Sequence, residues 1–136
     1  MLENENKRYI TWDQMEGLVN KLATIIKNHL MLNPLSNIDS IYGIPRGGSI
    51  PAVMLSHKLG IPYSEKITLT SLIVDDICDS GVTLKEWEGY TTAVLLFKPH
   101  TSCAVPTLYG STHNSDEWIV FPWERNDSNP IQDYKI

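Results

Sequence analysis

Leu72-Ile73-Val74-Asp75-Asp76-Ile77-Cys78-Asp79-Ser80-Gly81-Val82-Thr83-Leu84 is the stretch on which the fold turns. Its three leading apolar residues read as a short buried strand that stops at Asp75-Asp76. Gly81 then opens a helix of about two turns through Trp87, ended by Gly89. Such a strand–turn–helix unit belongs to an open α/β sheet, where ligands bind beyond the carboxyl ends of the strands. Two adjacent carboxylates at a strand end repel each other and call for cations or hydroxyl donors. The turn behind them offers a phosphate backbone amides, a helix N-terminus and the Ser80 and Thr83 hydroxyls. Vicinal hydroxyls at one point and a phosphate nearby describe a ribose 5-phosphate. An isolated Asp-Asp would read instead as a solvated acidic turn with an N-cap at Asp79 or Ser80. The run as a whole points to a ligand.

Upstream, Thr11 and Gln14 form a capping box, and Met15, Leu18, Val19, Leu22, Ile25, Ile26 and Leu30 follow at helical spacing. A helix is expected from Trp12 to His29, after a polar lead-in over residues 1–10. Ile38 to Ile44 reads as a buried strand, Arg46-Gly47-Gly48 as a tight turn, and Ile50 to Leu59 as a helix stopped by Gly60. Further strands are expected at Pro62 to Leu69, Thr92 to Phe97, Ser102 to Leu108 and Trp118 to Phe121, followed by a polar tail from about residue 125. The alternation predicts one domain over residues 1–136 with a mostly parallel sheet flanked by helices.

The chain of 136 residues carries 11 basic and 16 acidic side chains, a formal charge of −5, which argues against a nucleic-acid surface. Its 42% hydrophobic content is ordinary for a globular protein, and no apolar run approaches the roughly 20 residues that span a bilayer. Cys78 and Cys103 make no disulfide framework, and Met1 to Arg8 lacks the apolar core of a signal peptide. A cytoplasmic protein with no membrane partner is the expectation. His29, His57, His100 and His113 share no metal-ligand spacing, and only His100 falls near the charged segments.

The acidic run resembles the phosphoribosyl pyrophosphate (PRPP) signature of the type I phosphoribosyltransferases, with Ser80 where that family commonly has threonine. The resemblance implies that Asp75 and Asp76 hold the ribose hydroxyls and that Asp79, Ser80, Gly81, Val82 and Thr83 cradle the 5′-phosphate. Any side chain at Gly81 should then crowd the phosphate, weakening PRPP far more than the fold. Gly43-Ile44-Pro45-Arg46-Gly47-Gly48-Ser49 resembles the family's pyrophosphate loop, which gives Arg46 and Gly47 that role through an unusual backbone at the arginine–glycine step. Lys98, Trp118 and Ile119 are similar to the base site of the 6-oxopurine branch, particularly the xanthine-guanine enzymes. There a lysine meets the 6-oxygen, an aromatic ring stacks on the base and the next main chain reads its exocyclic groups. Read without the resemblance, these would be an exposed lysine and a core tryptophan.

By the same likeness the fold is the type I phosphoribosyltransferase fold with a small C-terminal hood. Its flexible loop is shortened, because only Pro62 to Ser71 separate Ile61 from Leu72. The implied function is purine salvage: the phosphoribosyl group of PRPP passes to guanine, xanthine or hypoxanthine, with Mg²⁺ held near Asp75 and Asp76 and approached by Glu124. Asp79, between ribose and base, would share a proton with the purine N7. Dimers or tetramers are usual in that family. A non-catalytic PRPP- or nucleotide-sensing protein on the same scaffold, or a transferase for another base, are the competing readings.

Overall fold

The computed structural model describes residues 6–124. The expected polar tail lies outside the described residues. Four strands, β2 (Ser40–Gly43), β3 (Ser71–Cys78), β4 (Thr91–Phe97) and β5 (Leu108–Thr112), form one parallel sheet in the order β2-β3-β4-β5. Two helices, α1 (Trp12–Leu32) and α2 (Ser49–Leu59), cover one face. Successive residues of a strand point to opposite faces. Accordingly Leu72, Val74, Ala93 and Leu95 pack with Met15, Leu22 and Ile26 of α1, whereas Ile73 and Val94 pack with Ile44 and Leu84 on the other side. The sheet is the expected α/β sheet, and both of its central strands are buried on both faces, as their near-continuous apolar sequences require.

Helix α1 begins where its capping box says. Thr11 Oγ1 accepts from Gln14 N at 3.1 Å, and Gln14 Oε1 accepts from Thr11 N at 2.9 Å. It runs three residues past His29, to Leu32, with Asn33 capping it. Gly60 closes α2 in the left-handed region, at φ 69°. Among the described residues no helix is long and apolar enough to cross a membrane.

Four local expectations need correction. Residues 62–69 form no strand, only a single bridge between Tyr63 and Ile41. Side-chain hydroxyls take up the backbone amides there: Ser64 Oγ accepts from Lys66 N, and Ser71 Oγ from Thr68 N. The strand expected at Ser102 to Leu108 instead begins at Leu108. Ser102 Oγ binds both the N and the O of Ala104, and Pro106 has no amide to give a ladder. The short helix α3 spans only Val82–Lys85, after which the chain turns through Gly89 at φ 95°. Lastly, Lys7–Tyr9 is a strand, β1, paired in parallel with β6 (Trp118–Val120). The hood over the sheet is therefore built from both ends of the described chain. Nothing in the pattern of Lys7-Arg8-Tyr9 announces a strand, because two of the three residues stay exposed.

Candidate active site

Strand β3 does not stop at Asp75-Asp76. Ile77 and Cys78 continue it, in register with Leu96 and Phe97 of β4. The two carboxylates are thus held inside the strand, 7% and 8% exposed, with Asp75 Oδ1 accepting from Asp76 N and Asp76 Oδ1 from Ile77 N. A cavity opens along this strand end. Asp75, Asp76, Asp79, Ser80, Gly81 and Thr83 form one wall, and Trp118, Ile119, Phe121 and Glu124 the other. Nine side chains or turn positions picked out in the sequence therefore meet in one place. Phe121, stacked on Trp123 with ring centroids 5.0 Å apart, was legible only as the end of a strand. Glu124 is turned back on the hood, its Oε1 accepting from Phe121 N at 2.8 Å.

Val82, Arg46, Gly47 and Lys98 do not line that cavity. Val82 is 38% exposed. Gly47 lies directly against the acidic pair, for a Cβ on it would sit 2.7 Å from Asp76 Cγ and overlap the carboxylate. A Cβ on Gly48 would fall 2.9 Å from Asp75 Cα. Only glycine lets the loop 44–48 approach β3 this closely, and Ile44 N and Gly48 N are tied in by Val74 O and Ile44 O. Arg46 beside them is exposed. The unusual peptide geometry falls one bond earlier than the resemblance implies, at a cis bond between Pro45 and Arg46.

Lys98 is no exposed lysine. It is 3% exposed, its Nζ donates to Glu117 O at 2.9 Å and lies 3.6 Å from Asp79 Oδ2. The ammonium thus bridges the turn at Asp79 and the segment leading into β6. Gly81 adopts φ 82°, and a Cβ there would meet protein before any ligand: Ser102 Oγ at 2.5 Å, Ala104 N at 2.7 Å and Cys103 N at 2.9 Å. The turn 101–104 buttresses the loop, with Cys103 N donating to Ser80 O at 2.8 Å. Cys78, at the cavity floor, has its thiol pushed above the ordinary value by burial, partly offset by a hydrogen bond with Ser102. It remains a neutral lining group.

His113, not His100, is the histidine of this region that is drawn inward, half-buried in the fold. His100 pairs at the surface with Asp116. His113 Nε2 is buried without a hydrogen-bond partner among the described residues and lies 3.7 Å from Glu117 Oε1. Burial first, then Lys98 and Arg8, holds its pKa below the ordinary 6.5, against a smaller opposing pull from Glu117. The unfolded chain therefore takes up this proton first as the pH falls. His113's share of stability is complete above about pH 6.5 and is lost as the pH drops through that value toward the folded one. Thermal melts from pH 7.5 to 5 should show wild type losing more stability than His113→Gln. Parallel losses in the two proteins would mean that His113 titrates normally.

No protein-family model matches the chain. Its fold superposes on a purine phosphoribosyltransferase from Pyrococcus horikoshii with a TM-score of 0.69 and 33% identity, covering 88% of this chain and 95% of that one. A hypothetical protein from Neisseria gonorrhoeae, solved with bound ppGpp, gives a TM-score of 0.65 at 27% identity over 89% of this chain and 92% of that one. By sequence the chain is 29% identical to the xanthine-guanine phosphoribosyltransferase of Vibrio vulnificus, over 88% of this chain and 90% of the relative. Identity of one residue in three, sustained over nearly the whole of the Pyrococcus protein, goes beyond a shared shape, and the chain belongs to the type I phosphoribosyltransferase family, with the purine phosphoribosyltransferases.

Proposed function

We propose that this chain transfers the 5-phosphoribosyl group of PRPP to a 6-oxopurine, yielding the nucleoside monophosphate and pyrophosphate. The observation that carries the proposal is the facing of the Asp75–Thr83 wall by the Trp118–Ile119 wall across one cavity, with the buried Lys98 ammonium joined to both sides. In this reading Asp75 and Asp76 bind the ribose 2′- and 3′-hydroxyls. Ser80, Gly81, Val82 and Thr83, with Asp79, receive the 5′-phosphate, and Arg46 and Gly47 the pyrophosphate. The indole of Trp118 stacks on the purine, and the main chain at Ile119 reads its edge. An ammonium has three donors. Glu117 O takes one and Asp79 attracts another, and the third, on an ammonium buried beside the cavity and not lining it, is assigned to the 6-oxygen.

Among the described residues no group of three or more side chains could hold a metal ion unaided. Carboxylate oxygens alone suit magnesium, which takes its remaining ligands from water and substrate phosphates. Asp75 and Asp76, directly or through ribose and water, would hold Mg²⁺, with Glu124 on the hood side. When bound, the ion neutralises charge building on the departing pyrophosphate. The residues of the chain bind and orient: the acidic pair fixes the ribose, the 79–83 turn fixes C5′, and Asp79 takes or shares the proton at the purine N7 as the base joins C1′.

Incubation of the protein with magnesium PRPP and each of guanine, xanthine, hypoxanthine, adenine and uracil tests the reading. Adenine presents an amino donor to the lysine donor, a mismatch costing roughly 1–3 kcal/mol, or about 5- to 150-fold in preference. Turnover is expected with at least one 6-oxopurine and little with adenine, and Lys98→Ala should narrow that gap. Efficient use of adenine, orotate or uracil would overturn the base assignment and spare the PRPP site. The ppGpp in the Neisseria relative favours a second reading, a nucleotide-sensing protein on this scaffold. Tight binding of PRPP or ppGpp with no turnover of any base would establish it. The single domain over residues 1–136 and a homodimer or homotetramer complete the proposal, the latter checked by light scattering in solution.

A further inference from the structure

We propose that Thr101, which no motif in the sequence marks, is a positioning residue for the Asp79 carboxylate. Its Oγ1 lies 2.8 Å from Asp79 Oδ1 and 2.9 Å from Asp79 O, one hydroxyl proton shared between two acceptors, with Lys98 O a longer third contact at 3.4 Å. The other carboxylate oxygen, Oδ2, faces Lys98 Nζ at 3.6 Å. Both oxygens of Asp79 are therefore addressed from the segment that leaves β4, one by a hydroxyl and one by an ammonium. The backbone of the turn is held by other means: Lys98 N donates to Cys78 O at 2.9 Å and Cys103 N to Ser80 O at 2.8 Å. Those two bonds flank residue 79 and do not involve a side chain. Removing the Thr101 hydroxyl thus leaves the phosphate-binding turn anchored and frees the carboxylate to rotate.

The inference rests on the reading in which Asp79 handles the proton at the base. A bond donated to a carboxylate is among the stronger hydrogen bonds, and a proton carrier works only within hydrogen-bond reach of its target. In Thr101→Val the isosteric side chain keeps the bulk and loses the donor. With the best 6-oxopurine from the substrate panel, kcat should fall about 10- to 100-fold. The dissociation constant for magnesium PRPP, read by calorimetry, should stay within about twofold of wild type. Thr101→Ser should restore kcat. In an Asp79→Asn background the valine substitution should cost nothing more, because a residue acting through Asp79 has nothing left to act on.

An unchanged kcat in Thr101→Val, beside a slow Asp79→Asn, would overturn the inference and leave the Asp79 reading standing. Weakened PRPP binding with kcat preserved would also overturn it, making Thr101 a support for the turn. A normal rate in Asp79→Asn, or a wild type that turns over no base, would sink the reading and the inference together. A Thr101→Val protein that fails to fold would be replaced by Thr101→Ala, with the same outcomes deciding.

Discussion

Asp75→Asn combined with Asp76→Asn is expected to weaken magnesium PRPP binding by more than about 100-fold while the protein stays folded. Each carboxylate would accept from a ribose hydroxyl or a magnesium-bound water, and hydrogen bonds to a charged group contribute about 1.5–3 kcal/mol each. Asparagine keeps the oxygen that accepts from Asp76 N and Ile77 N, so the local backbone loses no partner. Two neighbouring like charges within a buried strand also cease to repel, and this offsets lost stability. Calorimetric titration with magnesium PRPP and a thermal melt followed by circular dichroism, on the same preparation, read both effects. Affinity equal to wild type in the folded double variant would remove the acidic pair from the PRPP site.

Gly81→Val is expected to damage the fold first. The residue sits at φ 82°, where a β-branched side chain costs about 1–3 kcal/mol in backbone conformation alone. Its Cβ would meet Ser102 Oγ at 2.5 Å and two backbone nitrogens within 2.9 Å, a clash worth about 1–3 kcal/mol more. Together these predict a fall in melting temperature on the order of 10 °C. That reverses the expectation drawn from sequence, in which the phosphate was the first thing a side chain would strike. A melting temperature within about 2 °C of wild type, with a raised KM for PRPP, would restore that expectation.

The acidic run was legible because strand apolarity, carboxylates, hydroxyls and a glycine turn are contiguous in sequence, and the fold sets them along one cavity wall. The strand was nevertheless cut short. Asp75 and Asp76 count as strand breakers by residue type, whereas pairing with β4 carries the ladder through them to Cys78. Long-range partnerships left little trace. Lys98 shows as a charge after a strand, and nothing near it reveals that Glu117 O and Asp79 bury it. Thr101 acquires meaning only from Asp79, 22 positions away, and His113 from its burial near Lys98 and Arg8. The strand misplaced at Ser102 to Leu108 fails for a related reason. Its apolar content suits a strand, but Ser102 captures the backbone of Ala104 before the ladder can begin.

The pairing of Lys7–Tyr9 with Trp118–Val120 has a consequence for how the molecule assembles. Closing a loop that encompasses nearly the whole described chain costs entropy before any contact repays it, and such distant parallel pairings form slowly. Residues 75–83 are, by contrast, sequence neighbours, and β3 pairs with the next strand in the chain, β4. The β3–β4 pairing, with far fewer residues between its strands, closes at lower entropic cost than the β1–β6 pairing. The cavity wall carried by Trp118 and Ile119 is then the later piece to be laid. The wall made by residues 75–83 is therefore expected to form before the wall that faces it across the cavity.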